Sequence, residues 1–180
     1  MQFCPNCGSK IFMKIPEEDN RLRAVCDICN LIHYENPKIV VGALATFEGK
    51  ILLCKRAIEP KIGLWTLPAG YMELNETTLE GAVRETVEEA GADIKIVRLF
   101  AMHDLPFVNQ VHIFFLAKMK SPSLSPGSES LEAKLFDVDE IPWENLAFRS
   151  VSRTLTYFIE NKTLDKNRVY TSQFRDRGEK

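Results

Sequence analysis

Long apolar runs with polar breaks between them dominate the chain after residue 37. KIVVGALATF (38–47) and KILLCKRA (50–57) are rich in β-branched and aliphatic residues and are separated by Glu48-Gly49, a pattern that predicts two strands joined by a tight hairpin turn. IKIVRLFAM (94–102) and QVHIFFLAKM (110–119) read as further strands, and EAKLFDV (132–138) as a shorter one. GLWTLPAGY (63–71) carries Pro68 and Gly70 and reads as a loop or strand end, and the Ser/Pro-rich stretch SPSLSPGSES (121–130) as a polar loop. RSVSRTLTYFIEN (149–161) changes to helical spacing, with Val151, Leu155 and Phe158 on one side.

A second helix lies between the strands. Thr77-x-x-Glu80 forms a capping box and Gly91 stands where a left-handed C-terminal cap is wanted, so the helix is predicted over about Thr78 to Ala90. At 100° per residue Leu79, Val83, Val87 and Ala90 share one face, with Ala82 at its edge, and this face is expected to pack inward. Glu85, Glu88 and Glu89 then cluster on nearly the opposite face. Strands mixed with two helices, without strict alternation, indicate an α+β or layered α/β/α fold.

Residues 1–36 follow another logic. Cys4/Cys7 and Cys26/Cys29 are two C-x2-C pairs, 18 residues apart, in a segment too short to bury a core of its own. That spacing predicts a tetrahedral four-cysteine site for structural Zn2+, and Gly8 suits the tight turn beside Cys7. Cys54, alone in an apolar strand, reads as a small buried hydrophobe. The expected boundaries are 1–36 for the zinc ribbon, 37–163 for the main domain and 164–180 for a polar C-terminal tail, part of it poorly ordered.

Composition narrows the partners. With 180 residues, 45% hydrophobic and 27% charged, the chain has enough material for one packed domain and a small addition. A net charge of -2 supplies no global basic field for nucleic acid, and the ribbon mixes Lys10, Lys14, Arg21 and Arg23 with Glu17, Glu18, Asp19 and Asp27. No apolar stretch reaches the roughly 18 residues of a membrane span, so a cytoplasmic protein without a membrane partner is expected.

The unusual feature is the charge of the first helix. Six glutamates and one arginine fall between Leu67 and Asp93, with no lysine to offset them. An ordinary solvated acidic face interleaves lysines, whereas clustered hard oxygen ligands without them suit Mg2+ or Mn2+.

The same stretch resembles the Nudix box, G-x5-E-x7-R-E-U-x-E-E-x-G-U, with Gly70, Glu76, Arg84, Glu85, Glu88, Glu89 and Gly91 at the required spacings. Thr86 and Ala92 stand at the two softer apolar positions. Resemblance to Nudix hydrolases implies an α/β/α sandwich that hydrolyses a nucleoside diphosphate linked to another group. Carried over by position, Gly70, Glu85, Glu88 and Glu89 are the expected Mg2+ or Mn2+ ligands, Glu85 also counts among the catalytic residues, and Arg84 and Glu76 orient the ligands. A glutamate after the Ser/Pro loop would be the general base or a further ligand, with Glu132 first and Glu129 second.

A ribbon joined to such a domain is similar to bacterial NADH pyrophosphatases and to a plant plastid FAD and ADP-ribose pyrophosphatase group. AMHDLPFVNQ (101–110) stands where the NADH enzymes carry an SQPWPFP-like motif, so the resemblance favours a small dinucleotide substrate of the FAD or ADP-ribose type. NADH cleavage and removal of an NAD cap from RNA are the enzymatic alternatives. A non-catalytic ADP-ribose sensor is the alternative of another class, disfavoured because all the box glutamates are present. A homodimer is expected by analogy with related ribbon-bearing enzymes.

Overall fold

The computed structural model describes residues 1–161 and 168–176. They form two compact units, 1–36 and 37–180. In the first, β1 (Ile11–Lys14), β2 (Arg23–Cys26) and β3 (Ile32–His33) make an antiparallel sheet in the order β1-β2-β3. Of its residues only Cys4, Val25 and Cys26 are buried, far too little apolar surface to hold a fold without a further constraint.

The second unit is built on one mixed sheet. Its strands are β4 (Lys38–Phe47), β5 (Lys50–Arg56), β6 (Trp65–Thr66), β7 (Ala69–Tyr71), β8 (Ile94–Leu105), β9 (Gln110–Met119), β10 (Ser130–Phe136) and β11 (Tyr170–Gln173). The main path runs β10-β5-β4-β9-β8-β11, with β4 parallel to β9 and β11 parallel to β8. Glu48 and Gly49, both left-handed at φ 47° and 86°, make the expected hairpin turn between β4 and β5.

That hairpin then splays. Only Thr46↔Ile51 and Phe47↔Lys50 pair across it; further out β4 pairs with β7 and β5 with β6, so residues 65–71 are wedged into the opening. Gly42 makes the wedge possible, because a Cβ there would run into Pro68 and Ala69.

Helix α1 (Thr78–Ala90) and helix α2 (Arg149–Glu160) cover opposite faces. Ala43, Ala45 and Cys54 pack with Ala90, whereas Leu44 and Leu53 pack with Val151 and Leu155. Since neighbouring strand residues point to opposite sides, the two cores lie on the two faces of one sheet, the α/β/α arrangement expected. Cys54 is fully buried, as a small hydrophobe should be.

The segment from 164 onward holds more than a polar tail. Tyr170–Gln173 adds the parallel edge strand β11, and Tyr170 and Phe174 are buried. Residues 162–167 and 177–180, where the rest of that tail lies, are outside the described residues.

His103 and His112 face each other across β8 and β9 beneath α2. His103 Nε2 lies 2.8 Å from Thr154 Oγ1, and His112 Nδ1 lies 3.0 Å from Ser150 Oγ. Burial lowers both pKa values to about 4, aided at His103 by the charges of His112 and Arg153. Nδ1 of His103 has no hydrogen-bond partner among the described residues, so a second ring proton there would be buried unpaired. Between the ordinary value of 6.5 and about 4, the unfolded chain binds more protons than the folded one, so stability falls as pH falls. The expected slope is about 1.4 kcal/mol per pH unit per histidine. Thermal melting from pH 7 to 4.5 checks this: the transition should drop steeply below pH 6.5, and His103→Gln should flatten the slope.

Candidate active site

Helix α1 is capped as expected. Glu80 N donates to Thr77 Oγ1 at 3.2 Å, Thr77 N donates to Glu80 Oε2 at 2.8 Å, and Gly91 closes the other end at φ 62°. Its orientation about its own axis differs from the expected one. The buried residues are Gly81, Ala82, Glu85, Thr86, Glu89 and Ala90, while Leu79 and Val87 are 44% and 48% exposed.

The reason is close approach. A Cβ on Gly81 would sit 2.7 Å from the Val41 side chain, so this face of α1 lies almost on the sheet, where only small residues fit. Thr86 belongs to this face too, its hydroxyl satisfied by donating to Ala82 O at 2.7 Å. Two glutamates are thereby turned inward: Glu85 is 9% and Glu89 is 7% exposed, while Glu88 stays exposed.

Around them the wedge supplies backbone. Gly70 of β7 lies directly against the Glu85 carboxylate, in space that a Cβ would fill, and the Ala69 amide donates to Glu89. Burial, reinforced by the Glu85 charge, pushes Glu89 up to about 8. Burial likewise raises Glu85 against the pull of Arg84.

Arg84 is the hub. Its Nε and Nη2 grip Glu76 at 3.0 and 2.7 Å, Nη1 reaches Glu85 at 2.7 Å and Glu88 at 3.0 Å, and Nη2 also donates to Tyr71 O at 3.1 Å. Arg84 and the Glu73 amide hold Glu76 at about 2, well below the usual carboxylate range. One guanidinium thus fixes three carboxylates and the strand that carries Gly70.

Three more groups complete the surroundings. The loop 121–129 is pinned to the end of α1 by Ser125 N to Ala90 O at 2.7 Å and Gly127 N to Glu89 O at 3.3 Å. Gly127 itself lies against the Glu88 carbonyl, where no side chain fits. This brings Glu129 close enough for its charge to act on both Glu85 and Glu89. Arg56 is the opposing cation on Glu89, tied by Nε to Pro60 O at 2.8 Å and lying 5.1 Å from the Phe148 ring centre.

The structure therefore brings Gly70, Glu76, Arg84, Glu85, Glu88 and Glu89 together and leaves Glu132 apart. A bulge between Ser130 and Glu132 shifts the register: Ser130 pairs with Arg56 on the α1 face, whereas Glu132 pairs with Lys55. Lys55 also pairs with Trp65, which packs into the core under α2, so Glu132 points to the far side of the sheet. Arg56 escaped the sequence reading, although Lys55-Arg56 at the end of an apolar strand was a visible signal.

The chemistry of the donor set suits a divalent cation, although among the described residues only the four ribbon cysteines already bring their ligand atoms within 4.8 Å of one another. Two buried carboxylates and an exposed third, all oxygen, stand beside the strand that carries Gly70, with Arg84 and Arg56 as the cations acting on the buried pair among the described residues, an environment that leaves negative charge for Mg2+ or Mn2+ to neutralise.

In the ribbon, the sulfurs of Cys4, Cys7, Cys26 and Cys29 all lie within 4.8 Å of one another. Cys4 and Cys29 are 3.6 Å apart, Cys7 and Cys26 3.4 Å. Tetrahedral ligation with Zn–S bonds of about 2.3 Å separates its sulfurs by about 3.8 Å. None of the four is in a disulfide, and the cluster fits zinc.

Residues 36–156 match the NUDIX domain and residues 2–35 the Nudix N-terminal zinc ribbon. The chain is 32% identical over 145 residues, 79% of its length, to the NAD-capped RNA hydrolase NudC of Vibrio atlanticus, and spans about half (51%) of that relative. It is 33% identical over 119 residues to the ADP-ribose pyrophosphatase of Methanocaldococcus jannaschii, covering 64% of this chain and 69% of that one. Among solved structures, a NUDIX hydrolase from Nitrosomonas europaea superposes with a TM-score of 0.91 at 44% identity, covering 97% of this chain and 100% of that one. An ADP-ribose pyrophosphatase from Streptococcus suis superposes with a TM-score of 0.64 at 25% identity, covering 76% and 100%. The buried glutamates, the arginine that locks them and the four-cysteine ribbon thus sit in a chain that belongs to the Nudix family and carries the N-terminal zinc ribbon found in part of it.

Proposed function

We propose that this chain is a Mg2+- or Mn2+-dependent pyrophosphohydrolase that splits a nucleoside diphosphate linked to another group, with ADP-ribose as the leading substrate. One observation carries the reading: Glu85 and Glu89 are buried together beside β7, Glu85 against Gly70, and burial raises both carboxyls, Glu89 to about 8, in spite of the guanidiniums of Arg84 and Arg56. Such a pair costs stability unless a cation completes it.

Glu85, Glu88, Glu89 and the Gly70 carbonyl would hold the ion. When bound, it neutralises the diphosphate and acidifies a water. The remaining chemistry belongs to the side chains. Arg84 fixes the rotamers of Glu76, Glu85 and Glu88, so the ligands need not reorganise during reaction. Glu129, next to the pair on the pinned loop, takes the proton of the attacking water at a carboxylate oxygen. Arg56, facing Glu89, is placed to meet the negative charge of the departing phosphate.

The names of the relatives support ADP-ribose, and the match to NudC supports a second reading, cleavage of NAD-type dinucleotides or NAD caps. FAD rests on the resemblance of residues 33–60, 63–73 and 129–148 to the plastid group. ADP-ribose, FAD, NADH, NAD+ and NAD-capped RNA, assayed with Mg2+, should rank in favour of ADP-ribose. Glu129→Gln should lower kcat by about a hundredfold or more, within the usual range for a general base. Glu132→Gln should stay within about threefold, since a surface carboxylate on the far face has no contact with the reaction. The reverse outcome would return the base to Glu132, and no turnover of any compound would replace hydrolysis by sensing.

A further inference from the structure

A chain of side chains on the α2 face links one end of the candidate site to the buried histidines. Gln110 opens β9 and is partly exposed; its Nε2 donates to the Tyr71 hydroxyl at 3.0 Å, and its Oε1 lies 2.9 Å from His112 Nε2. Oε1 can only accept, so His112 carries its proton on Nε2, and Ser150 Oγ donates to Nδ1 at 3.0 Å. His112 and Ser150 are 8% and 1% exposed. The Gln110 amide is therefore anchored from behind, and turning it over requires the Tyr71 hydroxyl, the His112 tautomer and the Ser150 hydroxyl to reverse together.

Position makes this anchored amide interesting. Tyr71, 50% exposed, follows Gly70, and its carbonyl is held by Arg84 while its ring lies on the α2 face beside Gln110. At the other edge of the wedge, Arg56 acts on Glu89 from the α1 face and lies over Phe148 at the start of α2. A diphosphate placed against Glu85 and Glu89 would thus lead its nucleoside around the wedge toward Phe148 on one side and Tyr71 and Gln110 on the other. After its two anchoring bonds, the partly exposed Gln110 amide retains one N–H and one Oε1 lone pair.

Building on the pyrophosphohydrolase reading, we infer that Gln110 reads the base of the substrate's nucleoside, pairing its free N–H and free Oε1 lone pair with adjacent acceptor and donor atoms on the base edge. Tyr71, His112 and Ser150 are positioning residues that hold the amide in one sense. Adenine, with a ring-nitrogen acceptor beside the N6 donor, matches a glutamine amide held this way. Hypoxanthine presents O6 beside N1–H, the same pair in reversed order, and the amide meets it only by reversing the hydrogen bonds of Tyr71, His112 and Ser150 as well.

The test compares kcat and KM for ADP-ribose and its inosine counterpart. The wild type should favour ADP-ribose by about tenfold to a hundredfold in kcat/KM, the discrimination of one bidentate pair. Gln110→Ala should erase that ratio through KM rather than kcat. Gln110→Glu, which exchanges the free donor for an acceptor, should erase the adenine preference and favour the guanosine counterpart, whose N1–H and N2–H are both donors, a gain that misfolding cannot imitate. Ser150→Ala should narrow the ratio by loosening the amide. A ratio in Gln110→Ala equal to that of the wild type overturns the inference while hydrolysis stands. A wild type that cleaves neither compound overturns the pyrophosphohydrolase reading and this inference with it.

Discussion

Glu89→Gln should lower kcat for the preferred diphosphate by about three orders of magnitude, a loss of the several kcal/mol that metal-assisted charge neutralisation supplies. The substitution changes one buried oxygen to an amide nitrogen and keeps the shape, so the cost falls on the ion rather than on packing. Glu89 is buried, and without a metal its own carboxylate is destabilised by burial and by Glu85. Removing that charge should therefore leave the fold as stable as before or more so when no divalent ion is present. Melting curves with and without Mg2+ check this: Mg2+ should raise the wild-type transition and leave that of Glu89→Gln nearly unmoved. A variant with wild-type turnover would remove the helix from the chemistry altogether.

Stripping the ribbon of its metal should be the most damaging change to structure. Three short strands with three buried core side chains cannot hold residues 1–36 together, and four sulfurs within 4.8 Å would repel as thiolates without an ion. Structural zinc contributes about 10 kcal/mol or more to folding in sites of this kind. Chelation, or Cys26→Ser, should abolish hydrogen-exchange protection of the β1–β3 amides and release one zinc per chain. Persistent protection after complete zinc loss would show that the strands hold without it.

Much of this was legible in the residues because it depends on local chemistry. The capping box, the Glu48-Gly49 turn, the C-x2-C pairs and the box spacing each report a backbone geometry that a few neighbours decide. The inward face of α1 was not legible, since helical periodicity offers two candidate faces and the usual rule prefers Leu79 and Val87 over Ala82 and Thr86. Here the sheet comes so near that size outweighed hydrophobicity, and the larger residues were left outside. A single extra residue separates Glu132 from the site side: the bulge at Leu131 exchanges the faces of what precedes it, putting Ser130 on the α1 face while Glu132 stays on the other, and strand alternation alone cannot reveal a bulge. β11 eluded the pattern because a four-residue polar edge strand has one apolar anchor, Tyr170, and gains its identity only from β8.

The parallel pairing of β4 with β9 sets an order of assembly. Lys38 faces Gln110 and Thr46 faces Lys118, partners roughly seventy residues apart in the chain, so this central seam carries a high contact order and should close late. During synthesis the α1 helix, held by its own caps, would emerge well before the strand that completes the sheet beneath it. A nascent chain stalled short of Met119 would therefore present the acidic helix without its platform, open to proteases and unable to gather its carboxylates around an ion.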